Sequence, residues 1–149
     1  AAIDFIADLG ERHVAMVEDR LPAGLQGRRR AVVAGMLAGE AYEQPLAKRL
    51  REQLAGIPGL TLYGPPEGSP RTSTVSFTVD GFQAGEVCRA LGARGLFTWD
   101  GDFYAHRLVE LLGLHPRGGL VRVGLAPYTT EGELERLVAA VGDLSRSVR

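Results

Sequence analysis

The sequence has very few residues of three chemically informative types: one cysteine, one lysine and one tryptophan among 149 residues. Because Cys88 has no partner cysteine, no disulfide can form within the chain, which favours a reducing compartment, and we expect a cytoplasmic location. Lys48 is the single candidate for any chemistry that needs a lysine amine. No apolar run approaches the length of a membrane-spanning helix, so no membrane partner is expected.

An excess of charge of either sign is also missing, since the formal net charge is −1. No basic field is present to attract nucleic acid, and we expect no nucleic-acid partner. The length suits one domain with a core of its own. The first ten residues carry acids where a signal peptide has basic residues, and they begin inside a helical pattern without a methionine. We therefore expect the chain to be part of a longer protein.

Apolar residues recur at helical spacing in two segments near the start of the chain. The pattern predicts a helix over Ala2–Arg20, a break with two glycines and a proline over Leu21–Gly27, and a long helix over Ala31–Ala55. Pro45 is expected to kink the long helix or to end its first half, because proline lacks an N–H and crowds the preceding turn.

The remaining residues predict an α+β fold: a small, mostly antiparallel sheet of about four strands, covered by helices on one face and preceded by the long helices. The predicted strands are Leu60–Tyr63, Thr74–Val79, Leu96–Trp99 and Leu120–Leu125. The predicted helices are Gln83–Arg94, Phe103–Leu112 and Gly132–Leu144. Thr74, Ser76 and Thr78 are expected to face away from the core, which argues against a dimerisation unit with a large apolar patch on that face.

Several residues of reactive types have simpler structural interpretations. Cys88 lies on the apolar side of a predicted helix and is interpreted as a small buried hydrophobe. Residues 100–102 form a predicted turn, whose last acid, Asp102, is expected to cap the next helix. His106 and His115 have no neighbours at metal-ligand spacing, so no metal site is predicted.

Arg122 is the residue around which the candidate site is built. Alternation along Leu120–Leu125 places its guanidinium on the less apolar face of a strand, beside Gly124, which has no side chain. A planar fork of donors next to open space suits two-point binding of a carboxylate or phosphate. From the pattern alone, a surface arginine paired to an acid is the commoner alternative. Downstream, Thr130 and Glu133 form a Thr-x-x-Glu capping box that begins the last helix.

The last predicted strand and the loop after it resemble the C-terminal signature of the class V aminotransferases, fold type I pyridoxal phosphate enzymes that include cysteine desulfurases and selenocysteine lyases. The family signature is Arg-x-Ser-x-x-x-Tyr-Asn-Thr. Arg122, Tyr128 and Thr130 match it, whereas Gly124 and Thr129 depart from it. The resemblance implies that Arg122 holds the α-carboxylate of the substrate.

Further segments resemble the same family in the same order along the chain. Arg71–Phe77 resembles the first central strand of the family's small domain, and Gly85–Leu91 resembles the helix that follows. Ile3–Gly10 and Ala41–Glu43 resemble the helices that leave the large domain. The resemblance implies that residues 1–27 are the remnant of the large domain's terminal helix and linker, and that residues 28–149 are the C-terminal small domain.

The segment Trp99–Ala105 is similar to members described as cysteine desulfurase-like. The resemblance implies that Trp99, Asp100 and Gly101 border the substrate pocket together with Arg122. Desulfurases carry the sulfur-accepting cysteine in the loop after this strand, and here that loop has no thiol. Persulfide chemistry by the usual route is therefore not expected, while aminotransfer, a lyase reaction and epimerisation stay open.

The resemblance also implies which functional groups lie outside this chain. The family's Schiff-base lysine, the aspartate at the pyridine nitrogen and the phosphate-binding residues all belong to the large domain, and Lys48 does not match the motif of the cofactor lysine. We expect pyridoxal 5′-phosphate and a homodimer in the parent enzyme. For the chain alone we expect neither productive cofactor binding nor catalysis, and no catalytic or cofactor-binding residue is assigned. The alternative is a free-standing regulatory module that binds a small ligand, with Arg122 as an anion anchor.

Overall fold

The computed structural model describes residues 1–147. Within them the α-helices are α1 (Ala2–His13), α2 (Gly27–Ala55), α3 (Ala84–Gly92), α4 (His106–Leu111) and α5 (Glu131–Ser147). The strands are β1 (Leu60–Tyr63), β2 (Thr74–Val79), β3 (Trp99–Gly101) and β4 (Leu120–Gly124). The chain divides into two compact units, Ala1–Pro45 and Leu46–Arg149.

In the first unit, α1 and the first part of α2 touch through their backbones. A Cβ at Gly10 would lie 1.9 Å from the carbonyl oxygen of Ala31, and a Cβ at Gly35 would lie 2.0 Å from that of Ile6. Real side chains never approach so closely, so both positions require glycine. The first unit is therefore held together by a close helix crossing.

The predicted helix over Ala2–Arg20 is wrong in its second half, because α1 ends at His13 and two short 3₁₀ turns follow. In the first turn the N–H of Val17 donates to the carbonyl of Val14, three residues back. Val17 is completely buried and packs with Ala34 in the small core of this unit. The tighter turn brings Val17 into that core.

Pro45 does not end α2, which continues to Ala55. What changes at Pro45 is the core to which the helix contributes, because the first compact unit ends at Pro45 and the second begins at Leu46. After Pro45 the apolar residues Leu46, Leu50 and Leu54 are buried in the core of the second unit. Their burial stabilises the second half of the helix across a position where one backbone hydrogen bond is missing.

The second unit is built on a four-stranded antiparallel sheet in the order β1-β2-β4-β3. Its main core lies between one face of the sheet and a helical layer contributed by α2, α3 and α5, with Phe77 and Val121 completely buried. This confirms the predicted α+β fold with helices on one face. At one end of the opposite face, Leu120 packs with Val109 and Leu114 in a second, small cluster.

No helix in residues 1–147 is long and apolar enough to cross a membrane. The bounds of β1 and β2 are confirmed, and β4 ends one residue earlier than predicted. The capping box of α5 is also confirmed: the Thr130 N–H donates to Glu133 Oε2 at 2.8 Å, and the Glu133 N–H donates to Thr130 Oγ1 at 3.3 Å. The Thr130 backbone N–H and then the Thr130 hydroxyl, which donates to the same oxygen at 2.9 Å, lower the pKa of Glu133.

The predicted strand over Leu96–Trp99 is wrong, because β3 covers Trp99–Gly101 and so includes most of the predicted turn at 100–102. The N–H of Leu96 donates to the carbonyl of Leu91 at 3.0 Å and thereby closes the C-terminal end of α3. A backbone donor used for that cap is not available to a sheet. Pairing with β4 therefore starts only at Trp99.

The predicted helix over Phe103–Leu112 begins too early, since α4 starts at His106. Phe103 and Tyr104 have φ of 54° and 64°, a left-handed conformation that no right-handed helix contains. Asp102 accepts the N–H of Tyr104 through Oδ1 and the N–H of Ala105 through its carbonyl. Asp102 thus closes a tight turn, and Ala105 stands at the N-cap position where Asp102 was expected.

Thr74, Ser76 and Thr78 lie on the face opposite the main core, as predicted, but that face is not uniformly exposed. Thr74 is exposed and Ser76 is half-buried, but Thr78 is buried. Its hydroxyl has no hydrogen-bond partner among the described residues. The alternation that places Thr78 on this face also places Leu120 there, and the apolar cluster around Leu120 covers that end of the face.

Candidate functional site

One row of side chains crosses the whole sheet on the face opposite the helical layer. Tyr63 is the partner of Ser76, Ser76 is the partner of Arg122, and Arg122 is the partner of Trp99. Directly opposed residues of antiparallel strands point to the same side of a sheet. Arg122 therefore stands between a half-buried hydroxyl and an exposed indole.

The Arg122 guanidinium is exposed, and its Cζ lies 4.0 Å from the centroid of the Phe103 ring. Among residues 1–147 no carboxylate forms an ion pair with it, and its side chain donates no hydrogen bond. The aromatic ring covers one flat face of the cation, an attractive contact that leaves the N–H groups at its edge available. A planar cation held in this way is prepared for a two-point carboxylate.

Phe103 is a stable platform for this cation because its ring packs against the small cluster of Val109, Leu114 and Leu120. Its left-handed φ is the backbone conformation that turns the chain from β3 towards α4. Such backbone strain in a residue other than glycine is characteristic of functional sites. The position of the Arg122 guanidinium is thus set by a turn that α4 holds in place.

A cavity of about 400 Å³ opens at this end of the row. Its lining residues are Trp99, Asp100, Gly101, Asp102, Phe103, Tyr104, His106 and Arg122. It contains the four residues assigned from the sequence to substrate binding, Arg122, Trp99, Asp100 and Gly101. It also contains four that the sequence reasoning did not assign.

Asp100 borders the cavity, but its side chain is directed towards α3. In the register it is the partner of Val121, whose side chain lies in the main core, and its Oδ2 would be 3.3 Å from a Cβ at Gly85. The carboxylate also lies close to Cys88, whose Sγ accepts a hydrogen bond from Thr98 Oγ1 at 3.1 Å. Burial, and then the charge of Asp100, raise the pKa of the Cys88 thiol, while the Thr98 hydroxyl acts in the opposite direction.

His106 is the most informative residue that the sequence reasoning missed in the cavity. Its Nδ1 lies in contact with Asp102 Oδ2. The spacing Asp-x-x-x-His was a signal that could have drawn attention to the pair, although residues 103 and 104 form a left-handed turn and not a turn of helix. Phe103 and Tyr104 had no such signal, because their exposure in the cavity depends on the left-handed turn.

A second cavity, of about 590 Å³, lies at the other end of the row beside Tyr63 and Ser76. Its wall includes Arg51, whose side chain is only 14% exposed and whose Nε and Nη1 are buried without a hydrogen-bond partner. The nearest carboxylate oxygen recorded, Glu67 Oε2, is 3.8 Å from Nη2. Arg51 is therefore a poorly compensated internal cation.

Lys48, the single lysine, is exposed on α2 and pairs with Glu52 at 3.8 Å. It does not border the cavity at Arg122. In the part of the chain that the structure describes, no group of three His, Cys, Asp or Glu residues is arranged to hold a metal ion. The chemistry that the described cavity residues offer is anion binding, aromatic contact and the His106–Asp102 pair.

Comparisons with known proteins give a consistent result. The family model described as Aminotransferase class-V matches residues 31–137. The chain is 38% identical over 105 residues to the aminotransferase-like protein FGM3 of Gibberella zeae, which covers 67% of this chain and 26% of that protein. It is 37% identical over 110 residues to the probable cysteine desulfurase 2 of Mycobacterium leprae, which covers 72% of this chain and 25% of that protein.

The fold is similar to a solved structure, the apo cysteine desulfurase from Thermococcus onnurineus NA1. The TM-score is 0.68 and the sequence identity 25%, and the match covers 86% of this chain and 34% of that one. The chain thus spans about a quarter of the length of these two curated relatives and about a third of the similar structure.

Proposed function

Because this chain belongs to the class V aminotransferase family, we propose that it is the C-terminal, small-domain part of a pyridoxal phosphate enzyme acting on an amino acid. The parent is an aminotransferase or an enzyme of the cysteine desulfurase and selenocysteine lyase type. The role of this part is to bind the α-carboxylate of the substrate through Arg122. The observation that carries the proposal is an exposed guanidinium, stacked on Phe103 and facing a cavity, with no carboxylate partner among the described residues.

Arg122 contributes binding and orientation. A carboxylate held in two-point fashion cannot rotate freely, so the other bonds of the α-carbon take fixed directions in the site. The Phe103 ring limits the motion of the guanidinium itself and so reduces the entropy lost on binding. Trp99, on the same face, fixes the side from which the substrate enters.

Pyridoxal phosphate, when bound in the parent, supplies an electron sink for chemistry at the α-carbon. The residues present do not fit that cofactor, because Lys48 is exposed on α2, paired with Glu52, and does not border the Arg122 cavity. We further propose that the parent enzyme is a cytoplasmic homodimer with a separate large domain.

Carboxylate binding is tested by recording the Nε–H signals of the ¹⁵N-labelled chain during titration with acetate. The Arg122 signal is expected to move in a saturable way, and the Arg146 signal, whose guanidinium is already paired to Asp143, is the internal control. An Arg122 signal that stays still, or that moves only as much as Arg146, contradicts the assignment.

The cofactor part is tested by mixing the chain with pyridoxal phosphate and recording the absorbance spectrum. We expect no stable band of a lysine-bound cofactor. A stable band that is lost in Lys48→Ala contradicts the proposal that the cofactor lysine lies elsewhere in the parent.

A further inference from the structure

Three aromatic rings surround the Arg122 cavity, and two of them are largely in solvent. Trp99 is 69% exposed and Tyr104 is 97% exposed, while Phe103 is partly buried beneath the guanidinium. Large aromatic surface in water is unfavourable, and an exposed apolar patch around a polar anchor is typical of a ligand site. The rings offer more apolar surface than a carboxylate alone can cover.

The charges of the cavity allow one carboxylate and disfavour a second. Arg122 is a cation without a carboxylate partner among the described residues, whereas His106 is already paired with Asp102. The other ionisable groups of the lining are the carboxylates Asp100 and Asp102 and the phenol of Tyr104, and because the Asp100 side chain is directed towards α3, Asp102 is the acid on the cavity side. A second carboxylate on the ligand would meet like charge and find no cation to pair with.

We infer that the substrate of this site is an amino acid with an aromatic or large apolar side chain, an inference that rests on the proposed function. The α-carboxylate pairs with the edge of the Arg122 guanidinium, and the side chain covers the exposed rings of Trp99 and Tyr104. Specificity comes from the aromatic wall, because the carboxylate contact is the same for every amino acid. Acidic amino acids are disfavoured by Asp102 and by the lack of a second cation without a partner in the lining.

Trp99 is the only tryptophan of the chain, so its fluorescence reports on this cavity alone. We propose to titrate the chain with acetate, 3-phenylpropionate and glutarate, which carry respectively a carboxylate alone, a carboxylate with an aromatic group, and two carboxylates. 3-Phenylpropionate is expected to bind about tenfold more tightly than acetate, and glutarate no more tightly than acetate. Circular dichroism verifies that each variant is folded.

Two variants separate the contribution of the aromatic wall from that of the carboxylate anchor. Tyr104→Ala is expected to weaken 3-phenylpropionate several-fold and to leave acetate unchanged, since the ring makes no contact with the carboxylate. Arg122→Gln is expected to abolish the binding of both. Phe97→Ala is the control, because Phe97 is also exposed but does not border this cavity.

The outcomes are distinguishable. Equal affinity for acetate and 3-phenylpropionate, or a preference for glutarate, overturns the substrate class and leaves Arg122 as the carboxylate site. Absence of binding of any of the three acids to the folded chain overturns the proposed function as well. 3-Phenylpropionate binding that survives Arg122→Gln also overturns the inference, because the aromatic group would then bind without the carboxylate anchor.

Discussion

Arg122 and Trp99 are direct partners across β4 and β3, with both side chains on the sheet face opposite the helical layer. Only two further residue pairs join these strands, Asp100 with Val121 and Gly101 with Leu120. The relative position of the guanidinium and the indole therefore depends on a very short ladder. We therefore expect contacts at the end of that ladder to determine where the guanidinium and the indole lie.

The close approach of Gly119 to the end of β3 gives the first prediction. A Cβ at Gly119 would lie 2.3 Å from the carbonyl oxygen of Gly101, and Gly119 has a φ of 86°. Gly119→Ala should lower the free energy of unfolding by about 2–4 kcal/mol, since it adds a backbone clash to an unfavourable left-handed alanine. Urea denaturation followed by Trp99 fluorescence measures this loss.

Gly124→Ala is the matched control, because no atom lies within 4 Å of the added Cβ. Its free energy of unfolding should stay within about 0.5 kcal/mol of the unsubstituted chain. Equal stability of the two variants would show that β3 is not held against Gly119 in solution.

The second prediction concerns Arg122 in the intact parent enzyme. Arg122→Gln should raise KM sharply and lower kcat/KM by an amount equivalent to about 2–4 kcal/mol, the loss of a charge-assisted carboxylate contact. Arg122→Lys should restore only part of the loss, since an ammonium cannot bind a carboxylate in two-point fashion. Steady-state kinetics on the three proteins decides the matter.

Arg146→Gln is the control for the loss of one surface arginine, because Arg146 pairs with Asp143 on α5. Its kcat/KM should be unchanged. If Arg122→Gln also left kcat/KM unchanged, Arg122 would not be the carboxylate anchor.

The sequence predicted those elements whose signals are local. β2 alternates cleanly between the two faces, and the side chains of Thr130 and Glu133 form the cap of α5 that their spacing indicated. The start of β3 could not be predicted, because it depends on a hydrogen bond from Leu96 to the end of α3. Residue propensities do not show which backbone N–H will donate to the last carbonyls of a helix.

The candidate site, like the fold, could be predicted only where the signal was local. Alternation placed Arg122 on the face away from the main core, and the structure has it exposed there. The partner Phe103 could not be predicted, because its ring reaches the guanidinium only through a left-handed turn closed by Asp102. A helix was expected at that point because Asp102 was interpreted as its N-cap, and tertiary packing of the Phe103 ring outweighed that local signal.

The third prediction follows from the raised pKa of Cys88. Burial and the Asp100 carboxylate both disfavour the thiolate, so alkylation by iodoacetamide should be slow at neutral pH and should accelerate only above the usual range of a thiol. Asp100→Asn removes the nearby negative charge, so it should lower the pKa of the thiol and move the pH–rate profile towards lower pH. Mass spectrometry of the alkylated chain gives the rates.

Asp80→Asn is the control, because this substitution removes the same charge within the second unit and Asp80 is not among the groups that shift the pKa of Cys88. Its profile should match that of the unsubstituted chain. A profile that does not move in Asp100→Asn would mean that the Asp100 carboxylate does not contribute to the pKa of Cys88.

The fourth prediction concerns Arg51, whose buried Nε and Nη1 lack partners among the described residues. Within residues 1–147 its one counterion is Glu67, whose Oε2 lies 3.8 Å from Nη2, which is too far for a hydrogen bond. A buried unsatisfied donor costs about 1–3 kcal/mol, so Arg51→Met, which keeps most of the apolar stem, should raise the free energy of unfolding by about 1–2 kcal/mol.

Arg49→Met is the comparison, because Arg49 is more exposed and pairs with Glu131 and Glu135. Its substitution should lower the free energy of unfolding by at most about 1 kcal/mol. Denaturant titrations of both variants measure the difference, and an Arg51→Met chain less stable than the Arg49→Met chain would show that Arg51 contributes a favourable interaction in solution.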